Sequence, residues 1–156
     1  MTGAYVLVCD LGGTRLRVAV EASDGSLQAK QVVPTPKDDP GALARTMRDV
    51  LDRNGGGVVG AVVRVPGPKD YDRGELLKLP NLPNWEGHLS SSMLESELGV
   101  PVLMANDADL AALGEHRYGA GRGSRDMVYV TSSTGVGAGV ILGGRLLHGQ
   151  LSLAEI

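Results

Sequence analysis

Aromatic residues and cysteine are scarce in this chain of 156 residues, which has no phenylalanine, one tryptophan and one cysteine. Its core must therefore be aliphatic, and a hydrophobic content of 42% is ordinary for a globular protein. The single cysteine, Cys9, excludes an intramolecular disulfide framework, which is typical of a reducing cytosol. Because Cys9 lies in an apolar run, we expect a buried core residue.

Long hydrophobic runs and an excess of positive charge are also lacking. No apolar stretch is long enough to span a membrane, and the N-terminus has no basic region of the kind that opens a signal peptide. The net charge of −3 argues against nucleic acid as a partner. We therefore expect a cytoplasmic protein with neither a membrane nor a nucleic-acid partner.

The first two thirds of the chain predict an α/β domain. Three strands form an antiparallel meander, and helices then alternate with further strands. Ser92 and Glu95 have the spacing of a capping box, and Trp85 is expected to anchor the return of a long loop. The predicted strands are 5–11, 16–22, 27–33, a fully buried 58–65 and 100–104; the helices are 40–54, 91–98 and 106–118; the long loop is 66–83.

Beyond a glycine-rich linker, the opening pattern of strand, glycine turn and strand begins again. Strands are predicted over 126–132 and 138–142, followed by a Gly143-Gly144 turn and a strand over 145–148. This repetition indicates an internal duplication. The predicted domains are 1–119 and 126–156, with 120–125 as the linker, and the second domain consists of its first strands only.

Asp107 lies between a short buried strand and the helix for which Asn106 is a suitable N-cap and Gly119 a suitable end. Ligands of open α/β sheets bind at such carboxyl ends of strands. Asp107 could supply a general base, but a first-turn carboxylate could also do no more than complement the helix dipole.

Two glycine turns each follow the first strand of a predicted repeat. The first, Asp10-Leu11-Gly12-Gly13-Thr14, predicts free backbone N–H groups that can face an anion, with Asp10 placed to order a metal-bound water beside phosphate. The second runs from Ser133 to Gly139. Either could be an ordinary hairpin turn, but two in equivalent places suggest that they hold one polyphosphate. Neither is a Walker loop or a Rossmann fingerprint.

The order of these motifs resembles the ROK family (repressor, open reading frame, kinase), especially its bacterial glucokinases. The resemblance implies an actin-like (ribonuclease H-like) fold, in which ATP and Mg²⁺ lie between two domains and a small-molecule sugar is phosphorylated. The matching stretches are Asp10-Leu11-Gly12-Gly13-Thr14, Val65-Pro66-Gly67-Pro68, Asn81-Leu82-Pro83-Asn84-Trp85, Asn106-Asp107-Ala108, Gly119-Ala120-Gly121 and Ser133-Thr134-Gly135-Val136-Gly137.

The resemblance also implies roles for individual residues. Asp107 corresponds to the catalytic general base, which also binds the sugar. The other implied sugar ligands are Asn106, Glu155, Asn81 and Gly67. The implied contacts to the ATP phosphates and Mg²⁺ are Asp10, Gly12, Gly13, Thr14, Thr134 and Gly135.

Several features depart from the family pattern. Arg64 stands where a small residue is usual and could crowd the sugar side. Asp109 replaces a usual asparagine, and Leu153-Ala154 replaces Ala-Gly. The chain ends at Ile156, before an expected histidine, and it lacks the cysteine-rich zinc segment, so no zinc site is expected.

The sequence thus predicts the N-terminal portion of an ATP-dependent sugar kinase, glucokinase-like and homo-oligomeric. A ROK-type sugar-sensing regulator is the first alternative; such proteins carry a helix-turn-helix ahead of the kinase-like domain, and too few residues precede Asp10 for one. The second alternative is a non-catalytic fragment that binds sugar or nucleotide, because much of the second domain is missing.

Overall fold

The computed structural model describes residues 4–67, 69–70, 75–76, 79, 82–132 and 136–148. Its elements follow the predicted βββαβαβα order except for two short strands and a 3₁₀ helix after the fourth strand, with three further strands at the end. They are β1 (Tyr5–Leu11), β2 (Arg15–Glu21), β3 (Leu27–Pro34), α1 (Gly41–Asn54), β4 (Val58–Val65), β5 (Lys69–Asp70), β6 (Glu75–Leu76), a 3₁₀ helix (Pro83–Trp85), α2 (Ser91–Leu98), β7 (Val102–Asn106), α3 (Asp107–Tyr118), β8 (Met127–Ser132), β9 (Val136–Leu142) and β10 (Arg145–Leu146).

A five-stranded mixed sheet of order β3-β2-β1-β4-β7 organises the first part of the chain. β1 pairs antiparallel with β2 and parallel with β4, which pairs parallel with β7. Successive side chains of a strand point to opposite faces. Alternate residues therefore enter one aliphatic core, which includes Leu7 and Leu11 of β1 and the buried side of α1, at Leu43, Met47 and Val50.

The opposite face of this sheet carries a row of neighbouring side chains, one from each of four strands. Asp10 of β1 lies opposite Arg17 of β2 and Arg64 of β4, and Arg64 lies opposite Ala105 of β7. We call Asp10, Arg17 and Arg64 the polar row. Because the α1 and α2 helices cover only the other face, β4 is not fully buried as predicted: Gly60, Val62 and Arg64 on the open face are only half-buried.

A second sheet, of order β10-β9-β8, packs against α3. Ile141 is buried on the side of β9 that faces the helix. Gly139 is required at this contact, because a Cβ atom there would lie 2.6 Å from the carbonyl oxygen of Ala108 and 2.7 Å from the Cβ of Ala112. The outer face of the sheet exposes large aliphatic side chains, each 58–59% accessible: Val128, Val130, Val136 and Leu142.

Three local predictions need correction. The segment 66–83 is not only loop, since β5 and β6 pair within it and a 3₁₀ helix begins at Pro83. The strand predicted at 100–104 is β7, two residues later. Ser90 rather than Ser92 caps α2 by accepting from the N–H of Met93 at 3.2 Å, because the Glu95 carboxylate instead accepts from the N–H of Val102 at 3.0 Å.

Trp85 anchors the loop as predicted. Its side chain is fully buried, and its indole N–H is shared between the carbonyl oxygens of Pro36 at 3.2 Å and Lys37 at 3.1 Å. Within the described ranges, the helices are too short and polar for any of them to cross a bilayer.

Candidate active site

The start of α3 confirms the predicted N-cap. Asn106 is extended, at φ −63° and ψ 155°, and its Oδ1 accepts from the N–H of Ala108 at 2.7 Å. Its Nδ2 donates to the carbonyl oxygen of Gly67 at 3.1 Å, across to the loop that follows β4. Asn106 is only 3% exposed, so the predicted sugar ligand has a partner within the protein for each of its polar groups and joins two ends of parallel strands.

Asp107 is the first residue of α3 and lies just beyond the carboxyl end of β7. Its Oδ1 accepts from the N–H of Ala108 at 2.9 Å, and its Oδ2 accepts from Nη2 of Arg64 at 2.7 Å. The side chain is 37% exposed, which leaves the carboxylate open to a ligand. The sheet and the helix together fix the Asp107 carboxylate at the carboxyl end of β7.

Arg64 joins the two carboxylates to which the resemblance assigns roles. Its Nη2 binds Asp107 and its Nη1 binds Oδ1 of Asp10, whose Oδ2 accepts from Nη1 of Arg17 at 2.7 Å. Burial alone would lower the pKa of Arg64, but the hydrogen bonds and charges of Asp10 and Asp107 outweigh it and raise that pKa above its usual value. Arg64 is therefore a permanent cation between two anions, a contact that the sequence prediction of simple crowding missed.

The first glycine turn has fewer free backbone N–H groups than predicted. Gly12 donates its N–H to the carbonyl oxygen of Arg15 at 3.0 Å, and a Cβ on Gly12 would lie 2.9 Å from that oxygen, so glycine is required there. The Gly12 N–H is therefore used within the turn, contrary to the prediction that it faces an anion. Among the described residues, the N–H groups of Gly13 and Thr14 have no hydrogen-bond partner, so they can still donate to an anion.

Thr35, the residue directly after β3, holds this turn in place, and this role was not predicted from the sequence. Its hydroxyl donates to the carbonyl oxygen of Gly12 at 2.6 Å, and its N–H donates to that of Thr14 at 3.0 Å. Thr35 is 7% exposed, and a buried polar residue between two prolines, Pro34 and Pro36, is the signal that could have identified it.

Asp109, the departure that lies in α3, is buried near His148. It is 7% exposed, and its Oδ2 lies 3.9 Å from Nδ1 of His148. Four predicted ligands, in contrast, lie outside the described residues: Glu155, Asn81, Thr134 and Gly135.

The predicted Mg²⁺ has one suitable carboxylate in this part of the chain. Within the described ranges, no group of three or more histidine, cysteine, aspartate or glutamate side chains could hold a metal ion. Asp10 has both oxygens paired with arginines, but each carboxylate oxygen has a second lone pair that can accept from a water. Asp10 therefore fits a magnesium ion held through its waters and the substrate phosphates, which is the usual coordination of Mg²⁺ in such sites.

A groove of about 440 Å³ runs along the open face of the sheet beside the polar row. Its lining combines polar side chains with apolar ones; the polar ones are Asp10, Arg17, Lys30, Gln31 and Arg64, and the apolar ones include Val8, Val62 and Leu110. The side chains of the polar row are thus reachable from this face as well as from the end of the strands.

The mixed sheet, the glycine hairpin after β1 and the carboxylate at the start of α3 define the class. Taken together with the solved structures described next, they show an actin-like ATPase fold. The family follows from the sequence, because the model of the ROK family matches residues 6–156. The chain belongs to the ROK family, as the resemblance implied.

Similar proteins are named as sugar kinases. A glucokinase from Halalkalibacterium halodurans is 35% identical over 99% of this chain and 49% of its own length. The ROK hexokinase from Thermus thermophilus has a TM-score of 0.80 at 38% identity, covering 94% of this chain and 49% of that one. A ROK family glucokinase from Streptomyces griseus, solved with glucose and AMPPNP, has a TM-score of 0.82 at 30% identity, covering 97% and 48%.

This chain therefore spans about half the length of the relatives it matches. A ROK family transcriptional regulator also shares the fold, with a TM-score of 0.79 at 22% identity over 94% of this chain and 39% of that one. That likeness concerns the fold alone.

Proposed function

We propose that the full-length protein transfers the terminal phosphoryl group of ATP to a hydroxyl of a hexose such as glucose. The observation that carries this proposal is the Asp107 carboxylate, accessible at the carboxyl end of the parallel edge strand β7 and linked through Arg64 to Asp10 beside the glycine turn. The relatives named glucokinase, and the one solved with glucose and AMPPNP, support the same choice of substrates.

Asp107 acts as the general base in this proposal. As the sugar oxygen forms a bond to the terminal phosphorus, its proton passes to the carboxylate of Asp107, and the bond from that phosphorus to the leaving oxygen of ADP breaks. The backbone of Ala108 holds Oδ1 of Asp107, so the carboxylate is oriented before the sugar arrives. A base fixed in this way loses little entropy on reaction.

The remaining residues bind and position the phosphates. Gly13 and Thr14 offer N–H groups to phosphate oxygens, and Thr35 keeps the turn in the conformation that presents them. Asp10 would hold the waters of a bound Mg²⁺, which in phosphoryl transfer neutralises charge on the phosphate oxygens. The sugar ligands implied at Asn81 and Glu155, and the phosphate contacts implied at Thr134 and Gly135, remain part of this proposal.

The test is sugar-dependent ADP formation by the full-length protein, with phosphorus NMR of the sugar product. We expect ADP release to require a hexose and to yield a hexose phosphate, with mannose and N-acetylmannosamine compared against glucose. ADP release that ignores sugar, or none with any hexose, would contradict the proposal.

A ROK-type sugar-sensing regulator, the first alternative from the sequence, has to be separated from a kinase. A protein of that kind would bind the hexose without turning it over. Calorimetric binding of glucose with no product after prolonged incubation with ATP would favour that function over catalysis.

A further inference from the structure

The proposed reaction gives Arg64 no step of its own. The base must accept the sugar hydroxyl, and each oxygen of Asp107 already accepts one hydrogen bond, so a hydroxyl that approaches along either of those directions must displace its donor. One bond comes from the backbone and is fixed by the helix. The other comes from a side chain, which can move.

The register of the sheet explains why Arg64 reaches Asp107. Arg64 lies opposite Ala105, and Ala105 is two residues before Asp107 and has no side chain beyond Cβ. The guanidinium can therefore pass over Ala105 to the end of β7, while its other amino group binds Asp10 on the opposite side. A smaller residue at position 64 would leave this space open.

We propose that Arg64 is a positioning residue that competes with the sugar for Asp107. In the free site it ties the base to Asp10, and a sugar hydroxyl displaces its Nη2 from Oδ2 of Asp107 on binding. This inference rests on the proposed function, because it takes the sugar to be the ligand of Asp107. Sugar affinity is then the intrinsic affinity reduced by the cost of breaking the Arg64–Asp107 contact.

The size of that reduction follows from exposure. The side chains of Arg64 and Asp107 are 35% and 37% accessible, so their ion pair is partly screened by water. Partly exposed pairs and hydrogen bonds between charged groups of this kind correspond to about three- to tenfold in a binding constant.

The experiment is a calorimetric titration of glucose into the full-length protein without nucleotide. Arg64→Met keeps the length of the side chain and removes its charge, and we expect its glucose dissociation constant to fall about three- to tenfold. Arg64→Lys should show a smaller gain, because an ammonium lacks the planar fork that spans two carboxylates. Arg17→Met is the matched control: it removes the other arginine of Asp10 and does not touch Asp107, so glucose affinity should match the parent.

A double-mutant cycle with Asp107→Asn separates competition from a general change in the site. In the Asp107→Asn background the charge partner is gone, so Arg64→Met should change the glucose dissociation constant less than twofold. A merely structural role for Arg64 would give the same effect in both backgrounds.

The inference is overturned if Arg64→Met and Arg64→Lys both bind glucose no more tightly than the parent protein. That result would leave the sugar kinase function standing. If no variant and no parent protein binds any hexose while each melts cooperatively, the proposed function fails, and this inference fails with it.

Discussion

At the scale of single residues, the decisive side chain is Asp107. Asp107→Asn should keep the fold, since the amide is nearly isosteric and asparagine is acceptable in the first turn of a helix. It cannot accept the sugar proton, so we expect kcat of the full-length protein to fall about 10²- to 10⁴-fold, or about 3 to 5 kcal/mol of barrier. Steady-state kinetics measure this loss, and thermal melts show whether the fold is intact.

The ATP affinity, stability and kcat of this variant together show whether Asp107 is a general base or only complements the helix dipole. ATP affinity should change little, because the N–H groups of Gly13 and Thr14 belong to a different part of the chain. If Asp107 served only the helix dipole, the variant would lose a little stability and keep its kcat. Near-normal kcat would therefore remove Asp107 from catalysis.

The roles of Asp107 and Arg64 were not equally accessible from sequence. A capping asparagine, an aspartate and a helical run stand side by side, and the spacing alone predicts a carboxylate at a strand end. Arg64 is 43 residues from Asp107 and 54 from Asp10, and only the register of β1, β4 and β7 brings the three together. An ion pair of this kind has no local signal.

At the scale of elements, the contact between α3 and β9 positions the helix that carries Asp107. Gly139→Ala would push a methyl group into the backbone of Ala108, so we expect it to destabilise the protein by about 1 to 3 kcal/mol, as overpacking does. Urea unfolding of both proteins measures the difference.

A second glycine in the same helix provides a matched control, for which we expect the opposite change in stability. Gly114 is exposed in α3, and a Cβ there would meet nothing within 4 Å. Gly114→Ala should therefore stabilise by about 0.5 to 1 kcal/mol through helix propensity. A neutral Gly139→Ala beside a stabilised Gly114→Ala would show that the β9–α3 contact adjusts freely.

The sequence predicted the bounds of an element correctly where its hydrophobic pattern covers the full length of that element. The bounds of β1, β4 and α2 agree with the sequence because alternation or helical spacing runs from a glycine or turn residue to another. β5 and β6 have two residues each, too few for any periodicity, and were missed. β7 was placed too early because Val100 extends its apolar run, whereas Pro101 lacks an N–H and meets β4 only through its carbonyl oxygen, which accepts from the N–H of Ala61 at 2.8 Å.

At the scale of the whole molecule, the outer face of the β8–β10 sheet is an exposed aliphatic surface. Exposed β-sheet surface of this kind seeks partners, so we expect this chain to self-associate. Light scattering over a concentration series should show species larger than the monomer. Val130→Lys should weaken association, whereas Tyr118→Lys, on α3 away from that face, should not.

A monodisperse monomer at high concentration, with amides of β8 and β9 well protected from exchange, would contradict this expectation. Protected amides would mean that the sheet is stable without a partner on its outer face.

The length of the chain relative to its relatives gives the last expectation on activity. The 156-residue chain alone should phosphorylate glucose at least about 10²-fold more slowly than a full-length ROK glucokinase, because the resemblance puts the adenine pocket and later sugar ligands beyond the stretch it matches. The measurement is sugar-dependent ADP release under identical conditions. Brisk turnover by this chain alone would mean that a second copy completes the site.

The buried indole of Trp85 also has a spectroscopic consequence. It is the only tryptophan in the chain, it is fully buried, and its N–H is held by two carbonyl groups of the segment after β3. Its emission should therefore lie at short wavelength while that contact persists and shift to the red once water reaches the ring. Because β8 to β10 contain no tryptophan, the emission wavelength should report the unfolding of the five-stranded sheet. It should not change when only the smaller sheet unfolds.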